Sequence, residues 1–465
     1  MRILDWKSLS AEQRDQALQR PAQRDAASVQ DAVRGIIEAV RRDGDSAVLA
    51  FTEQFDAVRP ASLRVTAQEF ADAERALNTA QAAAIDRAID NVRQFHAAQG
   101  AAPLRVQTAP GVTCERISVP IRAVGLYVPA GSAPLPSTAV MLAVPAAIAG
   151  CPLRVLCTPP AANGAADPAV LVAARKSGVE QVFKAGGAQA IAAMAYGTAT
   201  IPKCDKVFGP GNAYVTAAKM LVAQDAAGAA ADLPAGVTEV MVIADHTARA
   251  DFVAADLLAQ AEHSAEAQSL LVTTSAAFAE EVARQVARQA SRLSRGAILA
   301  KSIPHMRLLI VDGLETAFDV ANHYAPEHLL LQVHEPRRWL PRVSAAGAVF
   351  LGPWSPESVG DYCSGPNHTL PTYGYAKAYS GLSLEDFQKR ITVQELTPAG
   401  LAGLGPTAQI LANLEGLDAH AASVTIRLDA LGAVPPHGEL SQRGPLEDVS
   451  QRRDPSRPGP GGTAR

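Results

Sequence analysis

Two textures of apolar spacing divide the chain. In the first quarter Val29, Val33, Ile36, Ile37 and Val40 repeat at helical spacing, and Gly44 stands where that helix would be capped. Thr66 and Glu69 have the spacing of a capping box ahead of a further helix. From about Arg122 the apolar residues instead form short unbroken runs. "RAVGLYVP", "LRVLCTP", "EQVFKAGG" and "KCDKVFGPG" read as buried strands. The segments between them, "PSTAVMLAVPAAIAG", "DPAVLVAARKSG" and "AQAIAAMAYG", read as helices, as does "NAYVTAAKMLVAQD" after the last. A second series follows from "EVMVIAD" through "SLLVTTS", "MRLLIVDG" and "HLLLQV" to "GAVFLGP", again with helices between. Strands alternating with helices predict an α/β fold of two doubly wound, Rossmann-like parallel-sheet domains. Small helical segments are expected at the N- and C-termini, and a join near "DLPAGVTE". The piece beginning "EDFQKRITVQELTPAGLAG" is expected to be helical, and "SQRRDPSRPGPGGTAR" a disordered tail.

Composition narrows the function classes. The formal net charge of −4 over 465 residues gives no electrostatic case for nucleic acid or an anionic membrane. No apolar run is long enough to span a bilayer, and the N-terminal stretch lacks a secretory apolar core, so a cytoplasmic location is expected. Five cysteines, Cys114, Cys151, Cys157, Cys204 and Cys363, form no CxxC pair and read as reduced apolar side chains.

Ligands in open parallel sheets sit beyond the carboxyl ends of strands. The turns there, "AGSAPLPST", "GGAQA", "GPGNAY" and "PAGVTE", are Gly-rich and can offer backbone N–H groups to a phosphate. No GxGxxG follows a strand, so a nucleotide would be held outside the usual Rossmann fingerprint. A second chemistry is scattered. Gln260 and His263 share one face of a predicted helix, Asp361 lies in a polar loop with Cys363 and His368, and Glu415 and His420 lie further on. Nitrogen and oxygen donors without thiolate point to a catalytic rather than a structural zinc. Each of these residues alone is explained as readily by turn chemistry or a surface hydrogen bond. Glu327 and His328 stand where the apolar strand "HLLLQV" begins, although neighbouring strand residues point to opposite faces. Both reach one substrate only if the Pro326–Glu327 segment is irregular.

The motifs "GLYVPAGSAPLPSTAVML", "KAGGAQAIAAMAYGT", "KVFGPGNAYVTAAK", "DLPAGVTEVMVIAD", "AQAEHS", "YAPEHL", "GDYCSGPNHTLPTYGYAKAYSGLSLEDF" and "EGLDAH" resemble those of the histidinol dehydrogenase family, over roughly residues 24 to 430. The resemblance implies a zinc-dependent homodimer that oxidises L-histidinol to L-histidine with two NAD+, the last step of histidine biosynthesis. By motif it implies zinc ligands Gln260, His263, Asp361 and His420, with the substrate completing the metal sphere. It implies further substrate contacts from His368 and Glu415, and NAD contacts from Tyr127, Gln189 and Asn212. It implies a substrate contact from Thr238 too, which stands where the family most often has Ser, keeping the hydroxyl but adding a methyl. Glu415 and His420 would act on the partner's site.

The expected division is an arm 1–23; a first α/β domain 24–127 and 239–383; a second, NAD-binding domain 128–238; a small C-terminal domain 384–434; and a tail 435–465. On chemical grounds His328 is the expected base for alcohol oxidation and Glu327 the expected activator of water for aldehyde hydration. A thiohemiacetal route through Cys114 or Cys151 is the alternative mechanism. A zinc hydrolase, a same-fold dehydrogenase of another polar amino alcohol and a non-catalytic binding protein are the alternative functions.

Overall fold

The computed structural model describes residues 1–20, 26–100, 102–130 and 133–433; the expected tail lies outside them. The described chain divides into two compact units, residues 1–102 with 118–391, and 103–117 with everything from 392 onward.

The larger unit holds two parallel sheets, as the alternating pattern predicts. The five-stranded sheet has the order Gln181–Lys184, Leu153–Thr158, Ala123–Tyr127, Lys206–Phe208, Ala230–Ala231. The six-stranded sheet has the order Arg2–Asp5, Arg307–Ile310, Gln268–Thr273, Glu239–Ala244, His328–Gln332, Ala348–Leu351. Glu239–Ala244, Gln268–Thr273 and His328–Gln332 are buried at every position, which explains their continuous apolar runs. No described helix is long and apolar enough to cross a membrane.

Packing redraws the expected domains. Val33, Ile36 and Val40 share a core with Val155 and Ile191. Phe70, Ile89 and Val92 share another with Val140 and Leu171. The early helices therefore cover the five-stranded sheet rather than joining residues 239–383, because their apolar faces complete that sheet's two sides. Ala123–Tyr127, assigned by sequence to the other domain, is the middle strand of the same sheet. The expected N-terminal arm is also more than an arm, since Arg2–Asp5 forms the edge strand beside Arg307–Ile310.

In the smaller unit Leu104–Ala109 and Val112–Pro120 form an antiparallel hairpin, the second strand running on into the larger unit. Its turn uses Gly111 at φ +77°, whose carbonyl accepts from Thr397 N at 2.8 Å. Helices Pro398–Leu414 and Asp418–Ala433 pack together, and Thr397 caps the first by accepting from Gly400 N at 3.1 Å. The stretch expected to be helical begins with a strand instead, Gln388–Leu396. Nearly every residue of that strand is exposed, so no alternation of buried and exposed positions marks it in the sequence.

Candidate active site

The Glu327–His328 pair sits where a helix turns into a strand. Helix Leu314–Tyr324 stops at Ala325, which takes the left-handed conformation at φ +53°, and Pro326 follows. The strand begins at His328, so Glu327 is still in the turn. That is the irregularity the two side chains need: Glu327 Oε2 lies 3.7 Å from His328 Nδ1. Gly347 passes directly against this turn, giving its N–H to Pro326 O at 3.0 Å, while Ala348 N reaches Glu327 O at 2.8 Å. A Cβ on Gly347 would lie only 2.6 Å from Glu327 O.

Both side chains are buried, Glu327 at 7% and His328 at 2% exposure. Glu327 Oε2 accepts from Thr238 Oγ1 at 2.6 Å and from Glu239 N at 2.9 Å. Burial nevertheless dominates and pushes its carboxyl up to about 7, against the opposing pull of His328 and these donors. His328 Nδ1 is 3.3 Å from Glu239 O, so Nδ1 carries the proton. Nε2 is buried and has no hydrogen bond, with Asp361 Oδ1 at 3.4 Å. Burial disfavours the imidazolium, but the carboxylates of Glu357, Glu327 and Asp361 outweigh it and raise His328 well above its ordinary value.

Sequence reasoning missed Glu357. It is 2% exposed and lies 3.6 Å from His328 Nδ1. Burial and the nearby carboxylates of Asp361 and Glu327 hold its carboxyl above the usual range, against the attraction of His328. The Gln260 amide satisfies its neighbours when its nitrogen donates to Glu357 Oε1 at 2.6 Å and its oxygen accepts from Thr238 Oγ1 at 2.6 Å. Thr238 has one hydroxyl proton between Glu327 and Gln260. An ionised Glu327 takes it; a protonated Glu327 donates to the hydroxyl and frees its proton for Gln260. Thr238, expected to contact substrate, thus meets Glu327, a pairing the sequence did not suggest.

Asp361 closes the short helix Glu357–Tyr362. Burial disfavours its charge, but the imidazoles of His328, His368 and His263 hold its carboxyl below the usual range. His263 follows the helix Ala250–Ala261, and crowding by protein keeps its imidazole below its ordinary value although the residue's edge is exposed. His368 has both ring nitrogens engaged: Nδ1 donates to Asp361 O at 2.8 Å and Nε2 accepts from Thr138 Oγ1 at 3.1 Å. It ties the helix that carries Asp361 to the helix Pro136–Ile148 of the five-stranded half. Glu415 and His420 belong to the smaller unit, where both are exposed.

His328, Glu357 and Asp361 each offer a ligand atom within 4.8 Å of the others. Gln260 meets Glu357 and His263 interacts with Asp361, so the donors are imidazole nitrogen and carboxylate or amide oxygen, which fit a borderline divalent ion such as zinc. The site lies at the amino ends of Glu239–Ala244 and His328–Gln332, not at carboxyl ends as expected for open sheets. In the other sheet the candidate cofactor residues do lie at or just beyond strand carboxyl ends. There Gln189, in the first turn of helix Gly187–Tyr196, is 1% exposed, and neither amide atom has a partner. An orphaned amide at a helix N-terminus after two glycines fits a dinucleotide phosphate or amide. Tyr127 is buried, and its phenol accepts from Gly187 N at 3.0 Å, shaping this turn. Asn212 is exposed and caps helix Ala213–Ala223, accepting from Tyr214 N and Val215 N at 3.0 and 3.1 Å.

Comparison with known proteins gives this geometry its family. The family model described as histidinol dehydrogenase matches residues 18–428. The chain belongs to the histidinol dehydrogenase family. It is 51% identical over 433 residues to histidinol dehydrogenase from Vibrio vulnificus (strain YJ016), covering 93% of this chain and 100% of that one. It is 54% identical over 428 residues to the Xanthomonas oryzae pv. oryzae enzyme of the same name, covering 92% and 99%. The crystal structure of histidinol dehydrogenase from Elizabethkingia anophelis superposes with a TM-score of 0.88 at 42% identity, over 93% of this chain and 99% of that one. As a histidinol dehydrogenase family member, the chain shares its α/β fold with that structure.

Thiol chemistry finds little support in the same site. Cys151 is buried, its Sγ donates to Phe387 O at 3.4 Å, and burial pushes its thiol up to about 11. Cys114 lies on the hairpin of the smaller unit.

Proposed function

We propose that the protein oxidises L-histidinol to L-histidine through the aldehyde, using zinc and two NAD+, as the last step of histidine biosynthesis. The observation that carries this reading is the buried Glu327–His328 pair, both held by the backbone of Glu239, with His328 Nε2 facing Asp361 and making no hydrogen bond. Gln260, His263, Asp361 and His420 would hold the zinc, with Glu357 behind them. When bound, zinc orients the substrate as a template. Tyr127, Gln189 and Asn212 would line the NAD site. When bound, NAD+ accepts hydride from the substrate carbon.

The chain's own residues move the protons. His328 Nε2 takes the hydroxyl proton of histidinol as hydride leaves the carbon, giving the aldehyde. The carboxylates of Glu357, Glu327 and Asp361 favour the imidazolium; a divalent ion held at Asp361 would offset their charge, and in the neutral ring the Nδ1–H bond to Glu239 O leaves Nε2 free. Glu327, near pH 7 in its proton affinity, takes a proton from water as the oxygen adds to the aldehyde. His328 returns its first proton to the aldehyde oxygen as the hydrate forms, and, neutral again, takes a hydroxyl proton from the hydrate while the second hydride leaves, giving the acid. Glu415 would pair with the substrate's amino group.

We place Glu415 and His420 in the active site of a partner subunit. Their exposure, and the exposed Ile410, Leu411, Leu414 and Ile426 beside them in the same unit, support a homodimer. The direct test is NADH formation at 340 nm, which should require histidinol and NAD+ together and should fall after chelation. Activity without NAD+ would favour the zinc-hydrolase alternative; turnover of other amino alcohols but not histidinol would favour the related-dehydrogenase alternative.

A further inference from the structure

The residue whose backbone holds both reactive side chains is itself held from behind. Glu239 N donates to Glu327 Oε2 at 2.9 Å, and Glu239 O accepts from His328 Nδ1 at 3.3 Å. The Glu239 side chain points the other way and is 1% exposed with its backbone. Four donors meet its carboxylate: Arg20 Nε at 2.6 Å, Arg20 Nη2 at 3.2 Å, Tyr373 N at 2.7 Å, and the Tyr324 hydroxyl. Arg20 also donates from Nη2 to Tyr324 O at 2.8 Å, and its guanidinium lies 3.9 Å from the centre of the Tyr324 ring. Tyr324 is the last residue of the helix that turns into Glu327. One half-buried guanidinium therefore fixes both walls of the site, the start of strand Glu239–Ala244 and the turn before strand His328–Gln332.

We propose that Arg20, from the N-terminal segment, is a positioning residue for Glu327 and His328, acting through Glu239. Its planar fork binds the carboxylate bidentately while its face stacks on tyrosine, a fit lysine cannot reproduce. Without it, Glu239 keeps a buried carboxylate that has lost its counter-charge, and the cheapest relief is to swing toward water. Such a swing moves the peptide that orients both reactive groups. The effect falls on the chemical steps, because neither histidinol nor NAD+ contacts Arg20 on this reading.

This inference rests on the proposed oxidation, so the experiment separates the two. Arg20→Ala, Arg20→Lys and wild-type protein, all full-length and zinc-loaded, are compared for kcat, both KM values and Tm. Leu299→Ala, a core variant in helix Gly296–Ser302, controls for destabilisation alone. Arg20→Ala is expected to lose kcat on the order of 10²-fold, as a small misplacement of reacting groups does, with both KM values unchanged. Arg20→Lys should recover part of the loss. Leu299→Ala should lower Tm and leave kcat intact below it. A kcat for Arg20→Ala no lower than that of Leu299→Ala would overturn the inference. If wild-type protein makes no NADH, the functional reading fails instead. The crystal structure of Arg20→Ala then decides: a displaced Glu239 peptide upholds the positioning role, and an unmoved one overturns it.

Discussion

Replacing Glu327 by glutamine should weaken catalysis and strengthen the fold at once. The wild-type carboxyl is raised from an ordinary 4.5 to about 7, chiefly by burial. A raised folded-state value means the native state holds the proton more tightly than the unfolded chain does. The stability this gives is complete below pH 4.5 and is lost as pH rises through 7. Above that, keeping the buried carboxylate ionised costs roughly 3 kcal/mol, at about 1.4 kcal/mol per pH unit of displacement. Glutamine is neutral throughout, and its amide oxygen can still accept from Thr238 and Glu239 N where Oε2 does now. Urea unfolding of metal-free protein should therefore show Glu327→Gln more stable than wild type at pH 8, by up to about 3 kcal/mol. The difference should shrink toward zero near pH 4.5. Turnover of histidinol should fall about 10²- to 10⁴-fold, the usual share of a general base. Zinc content should not change. A variant no more stable than wild type at pH 8 would refute the electrostatic reasoning, and one with wild-type turnover would refute the assigned role.

Asp256, buried on helix Ala250–Ala261 and raised to about 7 by burial alone, should behave similarly without the catalytic loss at its own atom. Asp256→Asn is expected to raise the urea midpoint at pH 8 but not at pH 4; a gain equal at both pH values would contradict the cause. Mixing inactive His328→Ala and His420→Ala subunits should restore turnover, since a mixed dimer has one site with both residues intact; no recovery after subunit exchange would place His420 in its own subunit's site. Cys151→Ala should keep full turnover, measured at saturating histidinol and NAD+, and a folded but inactive variant would revive the thiol route.

The alternating architecture was legible because buried parallel strands such as Glu239–Ala244 leave uninterrupted apolar runs. Strand Gln388–Leu396 was not, since an exposed strand has no buried face to mark its period. Arg2–Asp5, four residues at a sheet edge, is too short for any period to register. The domain division failed for a different reason. Which sheet a helix covers depends on the partner of its apolar face, and Val33 or Ile89 carries no label for that partner.

The site shows the same split. Glu327 and His328 stood out because titratable groups at the mouth of an apolar strand are costly unless used. Glu357 did not, since "SPESVG" reads equally well as an ordinary helix start. Arg20 and Glu239 are 219 residues apart, and nothing local in either segment announces the pairing. The irregularity that strand alternation demands at Glu327 was legible too, and the left-handed Ala325 followed by Pro326 supplies it.

The central claim is that one buried pair serves two successive oxidations, and product stoichiometry tests it most directly. Limiting L-histidinol with excess NAD+ and zinc-loaded protein should yield two NADH per histidinol, with L-histidine as the sole product by mass spectrometry. One NADH per histidinol with the aldehyde accumulating, or no NADH at all, would contradict it.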